Sequence, residues 1–150
     1  MIKRTFAASL ILILTALLTA CPSEDDLTRM AKASRELAHD TSTGTKAVKA
    51  YYESVPLTPE RMARKDRIAE KLKLIATNGK RFNDLLIEID KKYPEGTEPP
   101  PETLRFLREN WQEVIVPFRE LYQDLKTDGA ESKVKDLKKN TDKITEVLNK

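Results

Sequence analysis

Hydrophobic positions fall into two regimes along this chain. The first is an uncharged run from Phe6 to Ala20, preceded by the basic pair Lys3 and Arg4. From Leu27 onward, apolar residues recur every three or four positions in four separate stretches. That spacing is helical, and nowhere does the chain show the alternation of a half-buried strand. The pattern predicts an all-α protein behind an apolar leader.

The first stretch runs from about Leu27 to Val55, with Leu27, Met30, Ser34, Leu37, Thr41, Thr45, Val48, Tyr52 and Val55 facing inward. Its weak segment is Thr41-Ser42-Thr43-Gly44-Thr45, because β-branched residues and glycine each weaken a helix by roughly 0.5–1 kcal/mol. Either a strained continuous helix or a local break near Gly44 follows, and the small residues there also let a neighbouring helix come close. Pro56 and Leu57 form a tight connection. Thr58-Pro59-Glu60 then starts a second helix, with threonine as N-cap and proline at the first position. Its stripe reads Met62, Lys65, Ala69, Leu72, Ala76, Gly79, Phe82, Leu86, Ile89 and Tyr93, with Ile68 and Ile75 alongside, and Leu74 falls on the opposite face.

The proline-rich segment from Pro94 to Pro101 is the one long connection. The third stripe, Leu104, Leu107, Trp111, Val114, Phe118, Leu121 and Leu125, alternates steps of three and four without a miss. Pro117 lies inside it and predicts a kink, since its ring clashes with the carbonyl of Glu113. Lys126 to Gly129 is expected to turn the chain, with Asp128 and Glu131 as a capping box for the last helix. That helix carries Val134, Leu137, Thr141, Ile144 and Leu148. Tight turns between the first and second helices, and between the third and fourth, predict two antiparallel hairpins. Stacked, they form an up-down-up-down four-helix bundle over residues 27–150. The last helix is much shorter than the second, so either part of the first pair projects beyond the second pair or the hairpins dimerise instead. The oligomeric state stays open.

The leader has the layout of a secretory signal peptide: a positive head, a short apolar middle and small residues at its end. The apolar segment is shorter than the roughly 20 residues a spanning helix needs. It closes on Leu18-Thr19-Ala20-Cys21, which resembles the bacterial lipobox, where a branched apolar residue and two small ones precede a cysteine. The resemblance implies a bacterial lipoprotein. Cys21 would receive a diacylglyceryl group on its sulfur, residues 1–20 would be removed, and in many bacteria the new amino group would be acylated as well. The alternative is a plain signal peptide or an uncleaved anchor with Cys21 incidental. A plain cleavage would leave an unpaired thiol in an oxidising compartment. Acylation removes that liability and supplies an anchor, at about 0.8 kcal/mol per buried methylene. Residues 21–26 then form the lipidated cysteine and a short acidic tether, with Asp25 and Asp26 suited to a helix N-terminus. No aspartate follows Cys21, so the resemblance implies outer-membrane sorting in a host with two membranes. In a host with one membrane it implies the outer face of the cell membrane.

Composition adds mostly exclusions. Removal of residues 1–20 from the 150-residue chain leaves 130, the size of one domain. Two of the 27 basic residues leave with the leader, so 25 face 24 acidic ones and the balance falls from +3 to +1. Nothing in that balance points to nucleic acid. Cys21 is the single cysteine, which excludes an internal disulfide and a cysteine metal site. His39 is the single histidine and is expected on the surface of the first helix; a zinc site would need more ligands. The two Glu-x-x-His motifs of a di-metal bundle cannot form with one histidine, and a Gly-x-Ser-x-Gly elbow and a phosphate loop are missing from the sequence. Met30 and Met62 are expected to fill the core, together with Tyr52, Phe82, Trp111 and Phe118. The lysines at 133, 135, 138, 139, 143 and 150 are expected to form a solvated, mixed face; contact with anionic lipid or cell-wall polymer is the sharper alternative.

These features lead to an expectation of a non-enzymatic, membrane-anchored lipoprotein. It would carry no cofactor and act through contact with an envelope protein or the cell wall. The alternative is an envelope binding module that takes a small apolar ligand or a peptide in a bundle groove.

Overall fold

The computed structural model describes residues 25–94 and 96–150, and among them every regular element is helical. Four helices carry the fold: α1 (Asp26–Ser54), α2 (Pro59–Lys92), α3 (Pro101–Asp128) and α4 (Lys135–Leu148), with a 3-10 turn (Glu131–Val134) leading into the last. The first three starts have a local cause. The Asp25 carboxylate accepts from the Thr28 N–H at 2.7 Å and caps α1. Thr58 accepts from the Arg61 N–H at 3.3 Å and caps α2, with Pro59 behind it. Pro100 and Pro101 pre-set the start of α3.

α1 packs on α2 and α4, and α3 packs on the same two helices. One continuous core runs through all four. Met30, Leu37 and Tyr52 come from α1, Ile68, Ile75 and Leu86 from α2, Leu107, Trp111 and Leu121 from α3, and Leu137 and Ile144 from α4. Phe82 lies 4.9 Å from Trp111, centroid to centroid, and the Trp111 indole N–H donates to the Thr145 hydroxyl at 2.9 Å, tying α3 to α4.

α1 is continuous through its weak segment. The hydroxyls of Thr41 and Thr45 donate back to the carbonyls of Leu37 and Thr41, at 2.6 and 2.7 Å, so the hydroxyls find partners without leaving the helix. Gly44 is buried against the 3-10 turn, where a Cβ would stand 3.2 Å from Val134 Cγ1. The expected close approach is made here. Beyond that point α1 has outrun α4.

α3 likewise runs through Pro117. The Glu113 carbonyl, which proline leaves without its helical donor, accepts from the Asn78 amide of α2 at 2.8 Å. Ion pairs extend the same seam. Arg64 meets Asp128, Arg67 meets Asp124, Lys71 meets Glu120 and Arg81 meets Glu113, so numbers rise along α2 as they fall along α3.

Three sequence expectations need correction. Asp128 does not cap the last helix. It ends α3, which continues through Lys126 and Thr127 to Asp128 before Gly129 closes it at φ 73°. The Ala130 N–H donates to the Leu125 carbonyl and the Gly129 N–H to that of Lys126, the Schellman pattern. Ala130 then precedes the 3-10 turn with no side-chain cap. Second, the inner stripe of α2 in its first half is Ile68, Leu72 and Ile75, whereas Met62, Ala69 and Ala76 are exposed. Met62, at 49% exposed, fills no core. Third, Thr45 is exposed on α1, and Gly44 takes the buried position.

Candidate functional site

Cys21, the lipidation residue expected from the sequence, lies outside the described residues, as do the signal peptide and most of the tether. Candidate sites on the body of the protein are therefore sought among its side-chain clusters and concave surfaces.

The most highly connected polar group is Asp128. Its side chain is 1% exposed. Its carboxylate accepts from Arg64 Nε at 3.0 Å and from the Tyr52 hydroxyl at 2.7 Å, and Arg61 Nε stands 3.7 Å away. Its backbone carbonyl accepts from the Tyr51 hydroxyl. The Arg64 guanidinium, with help from Tyr52, holds the Asp128 carboxyl below the ordinary carboxylate range. Burial, and then the Asp128 carboxylate beside it, pushes the Tyr52 phenol far up. Asp128 is thus ionised and Tyr52 neutral across the ordinary pH range. The cluster ties the end of α3 to α1 and α2, and within it the buried Arg61 Nε has no hydrogen-bond partner among the described residues.

A second cluster lies between α1 and α4. The Asn140 amide donates to Asp40 at 2.7 Å and to Glu36 at 2.9 Å, and Lys143 reaches the Asn140 oxygen at 3.3 Å. His39 is exposed beside it on α1, at the edge of an 80 Å³ recess that also contains Gly44 and Val134. Among the described residues no group of three or more His, Cys, Asp or Glu side chains could hold a metal ion.

A trough of about 450 Å³ lies between the outer flanks of α1 and α2. Ala38, Thr41, Ser42, Thr45, Val48 and Tyr52 line it from α1, and Ile68, Ala69, Leu72 and Ala76 from α2. Lys49, Glu53, Lys65 and Lys73 stand among the residues around it. The two halves of this surface have a common origin. Ala69 and Ala76 belong to the apolar stripe expected in the core, and Thr45 was placed there too. Leu72 and the second half of the α2 stripe are buried, but Ala69, Ala76 and Thr45 lie on an outer face that no other helix covers among the described residues. Because the side chains are small, they leave a channel between two helices where larger residues would form a ridge.

A second concavity, about 410 Å³, lies at the opposite end of α1. It is bordered by Asp25, Leu27 and Met30, the α2–α3 connection at Gly96–Pro99, and Leu148 and Lys150. Ion pairs and hydrogen bonds cross it: Lys150 to Asp26 at 2.7 Å and Arg108 to the Leu148 carbonyl at 2.7 Å. The lysines at 133, 135, 139, 143 and 150 are exposed, and Lys138 is half-buried with its ammonium 5.7 Å from the Tyr122 ring centroid. No helix among the described residues is long and apolar enough to cross a membrane.

No family model, curated protein or solved structure matches the chain.

Proposed function

We propose that this protein is a lipid-anchored bacterial envelope protein that acts by contact and not by catalysis, and that the α1–α2 trough is its contact surface. In this reading its four helices run up-down-up-down, Cys21 carries the lipid, and the body stands close to the bilayer on a tether of a few residues. Outer-membrane attachment holds for a host with two membranes, the outer face of the cell membrane for a host with one.

The observation that carries the reading is the trough itself. Its open, mainly apolar surface combines the buried Val48, Tyr52, Ile68 and Leu72 with small side chains of two helices, and a recognition surface commonly combines such properties. The two buried carboxylates support it from the other side: Asp128 is held by Arg64 and Tyr52, and Asp40 by Asn140. The lipobox-like Leu18-Thr19-Ala20-Cys21 supplies the anchor.

Two measurements test it in cells of the host. With labelled palmitate, the wild type carries label and sediments with membranes, while Cys21→Ser loses both properties. Label persisting on Cys21→Ser, or native protein in the cytosol with residues 1–20 attached, refutes the anchor. A photoreactive diazirine amino acid at position 69, an exposed position that lines the trough, gives a discrete adduct; the same group at position 74, on an exposed face outside it, does not. Equal patterns at the two positions refute the trough as contact surface.

A further inference from the structure

We infer that the occupant of the α1–α2 trough is an amphipathic helix of a partner protein, apolar on one face and acidic along its flanks. The inference rests on the reading of the trough as the contact surface and specifies what fits there.

Shape favours a helix. From Ala38 to Glu53 the α1 wall extends on the order of 20 Å, about four helical turns. Its small residues recur at helical intervals, at 38, 42 and 45 on one wall and 69 and 76 on the other. Small residues so placed let a third helix approach and seat its larger side chains between the walls. The trough is also open along its length. A small apolar ligand would leave much of its surface in water there, contrary to the usual enclosure of such ligands. A helix satisfies its own backbone and needs only one face buried.

Charge selects the kind of helix. Lys49, Lys65 and Lys73 stand at the trough against a single acid, Glu53. Glu53 is 3.8 Å from Lys49, whereas Lys65 and Lys73 enter no ion pair among the described residues. Asp66 and Glu70, on the same helix as those two lysines, do not line the trough. The net field over the apolar floor is therefore positive, and carboxylates on the flanks of an incoming helix complement it. The same field disfavours a second copy docked trough to trough, which would set these lysines against each other.

The test uses the full chain in phosphatidylcholine nanodiscs with the diazirine at position 69, which lines the trough. Two synthetic helical peptides share one leucine face; glutamates flank it in one and lysines in the other. The acidic peptide is expected to give about ten-fold more adduct than the basic one, the scale of two or three exposed ion pairs. Lys65→Glu/Lys73→Glu is expected to reverse the preference. Equal yields, or a preference indifferent to the double substitution, overturn the inference. So does a chain-to-chain adduct without peptide, which would identify a second copy as the occupant. If neither peptide reacts while the adduct in cells persists, the acidic helix is wrong and the contact surface survives. If the adduct in cells is missing too, both fail.

Discussion

Asp128 shows how one side chain can carry more than its sequence position advertises. It stands two residues before Ala130 and three before Glu131, a spacing that fits a capping box, yet its carboxylate turns back to Arg64 and Tyr52. A buried carboxylate is costly unless paired and fully hydrogen-bonded, and this one has both. Asp128→Asn keeps the shape but leaves Arg64 facing a neutral amide, with an expected loss of about 2–3 kcal/mol at neutral pH. The pH dependence follows from the depressed folded-state pKa. The contribution of the carboxylate is complete above the unfolded value, about 3.9, and disappears as pH falls through the folded value. Urea titrations should therefore show a gap between wild type and Asp128→Asn that is constant above about pH 5 and narrows below about pH 4. A gap that widens in acid would contradict this account.

At the scale of elements, two glycines in long helices have opposite uses. Gly79 of α2 is buried, but a Cβ there would meet Leu37 only at ordinary contact distance, 3.9 Å. Gly79→Ala should thus gain most of the intrinsic helix preference, about 0.5–1 kcal/mol. Gly44 is the point where α1 lets the 3-10 turn close in, and its added Cβ would press Val134 Cγ1 at 3.2 Å. Val134 is buried and has little room to yield. Gly44→Ala should forfeit that gain, and Gly44→Leu should unseat the turn and cost about 2–3 kcal/mol. Chemical denaturation of the three variants tests the contrast; equal stabilisation by both alanines would refute it. Pro117 belongs to the same scale. A proline that would cost a lone helix a hydrogen bond is tolerated because Asn78, on the next helix, supplies the missing donor.

For the whole molecule, the joint core makes a prediction about cooperativity. Trp111 packs with Phe82 of α2 and bonds Thr145 of α4, so it reports on three helices at once. Thermal unfolding followed by Trp111 fluorescence and by far-ultraviolet circular dichroism should give coincident transitions, the behaviour of one cooperative domain. Separate midpoints would mean that α4 and the 3-10 turn leave before the rest. Position along the molecule also divides its properties. α4 covers α1 only as far as Gly44, and the trough spans that limit on the other flank of α1.

Periodicity alone was enough to specify the four main helices of the described residues, their approximate limits and most of the core. Leu107, Trp111, Val114, Phe118, Leu121 and Leu125 of α3 lie where their spacing put them, because burying one stripe of a helix is a local demand written in steps of three and four. The threonine and proline that begin α2 were equally legible, since capping is settled within one turn. Three-dimensional packing decided what depends on distant neighbours: which of two apolar stripes on the first half of α2 turned inward, that Asp128 looks back to α2 rather than forward, and that Ala69, Ala76 and Thr45 line an open trough. A stripe of alanines and threonines is apolar enough to enter a core and small enough to remain outside it. The choice belongs to the larger residues, Ile68, Leu72 and Ile75, which remove more surface from water when they face inward.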